Sequence, residues 1–320
     1  MSWAVVFPGQ GSQHVGMGKF LFDEFDVVKK LFQEASDTLS QDFKKLCFED
    51  PKNELILTSN TQPALLLCSH ALFQVLKEVS GFSPKLGAGH SLGEYSALVS
   101  AEALKFSEAI KAVRLRGEFM QAAVPVGNGG MAAIMGLEDS EVEKLCHWVQ
   151  ETARLSPLEP ANFNAPGQVV VSGSKEAIDF LSTPIETEKI FGEKKRLRVI
   201  PLNVSAPFHC SMMREAQEKM TSVLNQLKIQ MPKFEILQNV EAEVSESIDE
   251  LRHQLVLQIS SPVRWTQSIR NFKVKGFNRA VECGPGKVLG GLIKKIDSDV
   301  RVLNINNADE LKLAESELTQ

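Results

Sequence analysis

Apolar positions along the chain fall either into short continuous runs closed by glycine and proline or into stretches with helical spacing. Val5, Val6 and Phe7 form a buried-strand pattern ended by Pro8, Gly9 and Gly11, and apolar positions at Leu31, Phe32 and Ala35 then predict a helix. That succession opens an α/β unit. Pro63 to Val79 is apolar on most faces, which predicts a helix buried between other elements. Residues 83–101 predict a short strand, a glycine-flanked turn and a helix carrying Tyr95, Ala97, Leu98 and Val99.

The texture changes between Gly127 and Val204. Met131 to Met135 and Gln168 to Ser172 read as strands, and Ser140 to Glu151 and Lys175 to Leu181 as helices. This order predicts a small α+β subdomain, residues 127–204, inserted into a larger α/β body formed by residues 1–126 and 205–320. Gly192 to Arg198 is a charge run, expected to be a solvated loop or strand edge. A strand at Arg198 to Leu202 leads to His209, followed by a helix over Met212 to Leu227. Strands near Phe234 to Gln238 and Arg279 to Glu282 and a terminal helix from Asp309 complete the pattern.

Composition narrows the class without choosing a function. The 320 residues are 43% apolar and 23% charged, an ordinary globular balance. A net charge of −5 argues against a sequence-independent grip on nucleic acid, which needs a basic surface. Five scattered cysteines, none in a CxxC spacing, predict neither a disulfide framework nor a zinc site and suit a reducing, cytoplasmic setting. The N-terminal apolar run is too short for a signal peptide. No apolar stretch approaches the roughly 18 residues that span a bilayer.

The chemistry begins at residues 89–93, where Gly-His-Ser-Leu-Gly matches a nucleophile elbow. Glycines permit the tight strand-to-helix turn that pushes out the Ser91 hydroxyl. The same turn puts Ser91 at a helix N-terminus, where backbone N–H groups, Leu92 among them, can stabilise an oxyanion. A serine needs a base, and six histidines are available: His14, His70, His90, His147, His209 and His253. His209 is favoured because it follows a strand in a small-residue and proline loop. His70 and His147 fall in helical patterns as structural residues, and His90 adjoins the serine in a turn where neighbours point apart. No convincing acid precedes His209. Asp139 and Asp179 are accounted for by helix capping, which leaves a neutral group such as a backbone carbonyl to orient the base.

Seven motifs lie in order along the chain: Phe7 to Gln13, Gly89 to Glu94, the segment around Arg116, Asn164 to Gly173, Ala206 to His209, the segment from Gln258, and Glu282 to Leu289. On these the chain resembles the malonyl-CoA:acyl-carrier-protein transacylase family, and the acyltransferase domains of polyketide and fatty acid synthases, over nearly its whole length. The resemblance implies an α/β-hydrolase-like core with a parallel sheet and a small inserted ferredoxin-like subdomain. It implies that Ser91 carries the malonyl group, with His209 as base and then acid and the backbone carbonyl of Gln258 orienting the imidazole. It also implies an oxyanion hole from the N–H groups of Gln10 and Leu92. Arg116 pairs with the free malonyl carboxylate in this reading, a role that suits a planar guanidinium with parallel donors. Cys210 stands where the family usually has serine.

The reaction expected is a ping-pong transfer from malonyl-CoA to the phosphopantetheine thiol of acyl carrier protein, supplying fatty acid biosynthesis, with no metal or redox cofactor. The resemblance implies a monomer. Carriers of this type are acidic, so a basic docking surface is expected, and two candidates stand unranked: Lys194, Lys195, Arg196 and Arg198, or Arg270, Lys273, Lys275 and Arg279. Three rivals compete. A thioesterase would share the elbow but calls for an acid before His209. A carrier-binding module with a vestigial site would not need Ser91, Arg116 and His209 together. A methylmalonyl enzyme would differ before the histidine, where Ala206-Pro-Phe-His209 lies closer to the malonyl pattern.

Overall fold

The computed structural model describes residues 3–319, and the strands among them are β1 (Ala4–Phe7), β2 (Leu86–Gly89), β3 (Gly129–Met135), β4 (Leu158–Ala165), β5 (Gln168–Ser174), β6 (Arg198–Pro201), β7 (Glu235–Leu237), β8 (Arg279–Glu282) and β9 (Arg301–Asn304). Five form a parallel sheet in the order β7-β2-β1-β8-β9. All four residues of β1 are buried, as a central parallel strand covered on both faces requires, and this is why it reads as an unbroken apolar run. Ala4 is level with Leu86 and Ala280, so the strands end together near Phe7, Gly89 and Glu282. The strand order turns back at β1, and the crevice beyond the carboxyl ends at such a reversal is where open α/β sheets bind ligands.

The other four strands form an antiparallel sheet in the order β4-β5-β3-β6. With helix Asp139–Trp148 after β3 and helix Lys175–Leu181 after β5, the succession is βαββαβ, as expected for a ferredoxin-like unit. Its core, built on Ile134, Val142, Leu145, Val169 and Val171, is separate from that of the large body. The two are joined along β4, where Phe163 N–H donates to the Val263 carbonyl and Val263 N–H to that of Ala161, both at 2.9 Å.

Several expectations are corrected. Sequence reasoning missed β4 because Glu159, Pro160, Asn162 and Asn164 interrupt its apolar pattern and two register shifts break the alternation. It also missed β9, a four-residue edge strand. The helix expected to reach Glu151 ends at Trp148 and continues as a π turn over Val149–Ala153. Asp139 does not cap that helix. Glu138 and Glu141 form the capping box, and Asp139 occupies the first turn with Oδ1 buried and unpartnered. Asp179 pairs with Lys175 rather than capping. Among the described residues no helix is long and apolar enough to cross a membrane.

Two glycines let the strand ends meet the helix that follows β2. A Cβ on Gly93 would overlap the Phe7 carbonyl oxygen, and one on Gly89 would overlap the Gly93 backbone. Because both neighbours are main chain, neither can swing aside. Gly93→Ala is therefore expected to cost about 3 kcal/mol or more, the upper end for overpacking, read as a drop in the urea midpoint. An unchanged midpoint would show that this contact is not tight.

Candidate active site

Ser91 stands between β2 and helix Leu92–Ser100 with φ 51° and ψ −108°. A positive φ outside glycine costs about 1–3 kcal/mol and persists only where surroundings enforce it. Asn239 does so here. Its Oδ1 accepts the Ser91 N–H at 2.7 Å while its Nδ2 donates to the Gly89 carbonyl at 2.6 Å, clamping the turn from both sides.

His209 comes to the serine from the loop after β6 and also has a positive φ, of 60°. Its Nε2 lies 2.8 Å from Ser91 Oγ and its Nδ1 2.9 Å from the Gln258 carbonyl oxygen. A carbonyl only accepts, so the proton sits on Nδ1 and the Nε2 lone pair faces the hydroxyl. Burial, reinforced by the nearby Arg116 charge, pushes the imidazole down to about 3. At neutral pH it is an uncharged base ready to take a proton.

Arg116 lies within helix Phe106–Ala122 and is 1% exposed. Nη1 donates to Gln62 Oε1 at 2.8 Å, and Nη2 to Gln258 Oε1 at 2.9 Å and Ser91 Oγ at 3.1 Å. Its guanidinium sits over the Tyr95 ring, 5.7 Å from the centroid. Among the described residues no carboxylate pairs with it directly. A buried cation held by neutral groups is costly in itself and is poised for an anion.

These side chains open on a cavity of about 130 Å³ with apolar walls of Met120, Met131, Leu202, Val204 and Phe208. That space suits a short acyl group rather than a whole coenzyme. Gln10, in the turn after β1, also lines it, with Nε2 donating to Thr58 Oγ1 at 3.3 Å. Leu92 is the first helical residue, so its N–H has no acceptor within the helix. Together the site offers a hydroxyl, an oriented neutral base, backbone donors at a helix start and a buried cation 3.1 Å from the nucleophile.

An acyl transferase domain model matches residues 4–301. The malonyl CoA-acyl carrier protein transacylase of Bacillus subtilis (strain 168) is 43% identical over 311 residues, covering 97% of this chain and 95% of that protein. The enzyme of the same name from Staphylococcus aureus (strain COL) is 42% identical over 309 residues, 97% of each. The chain belongs to the malonyl CoA-acyl carrier protein transacylase family. Its fold matches the transacylase of Coxiella burnetii with a TM-score of 0.92, at 38% identity over 100% of this chain and 98% of that one. A malonyl-transacylase solved in complex with a type II PKS acyl-carrier protein matches equally well, at TM-score 0.92 and 40% identity over 99% of this chain and 100% of that one.

Of the six residues singled out from this family's pattern, Gln10, Ser91, Arg116 and His209 line the cavity, Leu92 follows Ser91 at the helix start, and Gln258 is buried behind His209 and Arg116. Gln258 does more than lend a carbonyl, since its fully buried side chain also donates to the Ser91 carbonyl at 3.0 Å and to Glu94 at 2.9 Å. Sequence reasoning missed Gln62, Asn239 and Glu94. His209 is oriented by the Gln258 carbonyl, the neutral group expected, and Glu94, which closes the elbow motif, bonds the side chain of that same glutamine rather than the imidazole. His90 does point away from the serine hydroxyl, but into the cleft, where Nε2 meets Asn164 Oδ1 at 2.8 Å. His70 is buried against Ser100 and Gln74. Cys210 is fully buried with its thiol on the Pro207 carbonyl, and burial pushes it up to about 11, which removes it as a nucleophile.

Proposed function

We propose that this protein transfers malonyl from malonyl-CoA to the phosphopantetheine thiol of acyl carrier protein through an ester on Ser91, in the cytoplasm and as a monomer. Ser91 attacks the thioester carbonyl while His209 Nε2 takes the hydroxyl proton, and the Gln258 carbonyl steadies the imidazolium through Nδ1. The oxyanion meets the backbone N–H groups of Leu92 and Gln10. His209 returns the proton to the departing coenzyme A thiol, and the carrier thiol then runs the same steps in reverse. The observation that carries the malonyl assignment is Arg116, a buried guanidinium without a carboxylate partner, 3.1 Å from the nucleophile. A site for acetyl would have no use for it, and a thioesterase would want water where this cavity has apolar walls.

Of the two basic patches, geometry favours the one at residues 194–198. Arg279 begins β8, at the end of the sheet opposite Ser91. Lys273 is paired with Asp297 and Asp299 and Lys275 with Glu235, so two of the four cations in that patch are met by carboxylates, and Arg279 stacks over Trp3. In the other patch, among the described residues, Lys195 alone is paired, to Glu141 and Glu193. Its chain runs on through β6, with Ile200 and Leu202 exposed, into the cavity wall at Leu202 and Val204. An acidic carrier seated there could pass its arm along that strand.

The test is malonyl transfer to holo-carrier beside transfer to free pantetheine. Reversing Lys194, Arg196 and Arg198 to glutamate is expected to lower kcat/KM for the carrier about tenfold or more at low salt, with little change for pantetheine. Reversing Lys273, Lys275 and Arg279 should change neither much. Equal losses on both thiols, or a larger loss from the second set, would remove the docking assignment.

A further inference from the structure

Glu94 is fully buried in the first turn of helix Leu92–Ser100. One carboxylate oxygen accepts the Asn239 N–H and Gln258 Nε2, each at 2.9 Å, and the other accepts Gln238 Nε2 at 3.3 Å. All three donors are neutral amides. The Gln258 side chain joins this carboxylate to Arg116, donating to Glu94 through Nε2 and accepting from Arg116 through Oε1. Glu94 is thus the counter-charge of Arg116 in the free site, held away from it by the width of one amide.

A malonyl group on Ser91 changes that balance. Its carboxylate brings a second negative charge to the same guanidinium, and two buried carboxylates near one cation cannot both stay ionised cheaply. The malonyl carboxylate is bonded directly to Arg116, whereas Glu94 has only amides, so Glu94 is the group that yields. We propose that Glu94 takes up a proton when a malonyl group is seated on Ser91 and gives it back when the group leaves, keeping the charge around Arg116 constant through both halves of the reaction. The proposal rests on the pairing of Arg116 with the malonyl carboxylate put forward above.

The surroundings suit the exchange. Burial raises Glu94 to about 7, with the Arg116 charge among the influences pulling it down. Neutralising Arg116 removes that pull and favours the protonated form further. The other titratable groups facing this cluster hold their protonation near neutrality: the Tyr95 phenol is raised to about 12, His209 is lowered to about 3, and burial also lowers His90. A flip of the Gln238 amide would give the new O–H an acceptor, with the Ser245 hydroxyl, now its donor, turning to accept, at the cost of the long 3.3 Å bond from Nε2 to the Leu251 carbonyl. Acylation itself is proton-neutral below the thiol's range near 8.5. The Ser91 C–O bond forms, the thioester C–S bond breaks, and the hydroxyl proton passes through His209 to the coenzyme A sulfur.

Full-length protein is mixed with one equivalent of malonyl-CoA in weak buffer containing a pH indicator, and the adduct in the same sample is counted by intact mass. Wild type is expected to take up roughly three-quarters of a proton per adduct at pH 7.5, the ionised fraction for a group near 7. Uptake should fall to about a tenth at pH 6 and vanish in Glu94→Gln, whose acylation rate should also lose the wild type's pH dependence across that interval. If Glu94→Gln does not fold, the wild-type pH series decides alone. Adduct formed with no uptake, or with uptake flat from pH 6 to 7.5, overturns the proposal. No adduct at all would instead remove the transacylase reading on which it rests.

Discussion

Ser91→Ala and His209→Ala are each expected to lower malonyl transfer to the carrier by about 10⁴- to 10⁶-fold, and the double variant by scarcely more. The serine supplies the bond-forming oxygen and the histidine the base that faces it at 2.8 Å, so either loss disables the same step. That is about 5–8 kcal/mol of transition-state stabilisation. Residual rate would come from the backbone donors and from Arg116, which both variants keep. Steady-state kcat with holo-carrier measures the effect, and an unchanged melting temperature shows that the fold is intact. Additive losses in the double variant would mean that the two residues act in separate steps.

Arg116→Ala is expected to reverse acyl preference. Removing one partner of a buried, hydrogen-bonded charge pair costs about 2–5 kcal/mol, or roughly 30- to 5,000-fold in kcat/KM for malonyl-CoA. Acetyl-CoA makes no such pair and should lose little. Arg116→Lys should not restore the preference, because an ammonium cannot reproduce the fork that now reaches Gln62, Gln258 and Ser91 at once. The ratio of the two kcat/KM values is the readout. A malonyl preference that survives in Arg116→Ala would place the selector elsewhere.

What the sequence could reveal depended on how far each contact reaches along the chain. The elbow was legible because Gly89 and Gly93 flank the serine at a fixed spacing that only a tight strand-to-helix turn needs, and Gly93 does abut the Phe7 carbonyl. β1 was legible because burial on both faces leaves a continuous apolar word. β4 was not, since its bulges and polar residues serve the junction with Val263 rather than a plain sheet face. The clamp by Asn239 and the relay from Glu94 through Gln258 join residues 145 to 164 positions apart, and no local pattern announces them. Separation along the chain also hid the acids Asp297, Asp299 and Glu235 that pair with Lys273 and Lys275 in one of the two basic patches. Family resemblance supplied Gln10 and Gln258, and geometry now gives Gln258 a reason to be a glutamine.

The paired positive φ angles of Ser91 and His209 carry a further physical lesson. Both reacting residues sit in backbone that is unfavourable for a side chain; Asn239 clamps the turn at Ser91, and the Gln258 carbonyl fixes the His209 ring. The site is therefore set before substrate arrives, which is how electrostatic stabilisation avoids reorganisation during the reaction.

The most direct test of the central claim is intact-mass analysis after brief incubation with malonyl-CoA, followed by peptide mapping of the product. The account predicts one malonyl group per chain, carried on the peptide containing Ser91, absent in Ser91→Ala and discharged when holo-carrier is added. A malonyl group mapped to another residue, or carrier malonylated at full rate by Ser91→Ala, would contradict it.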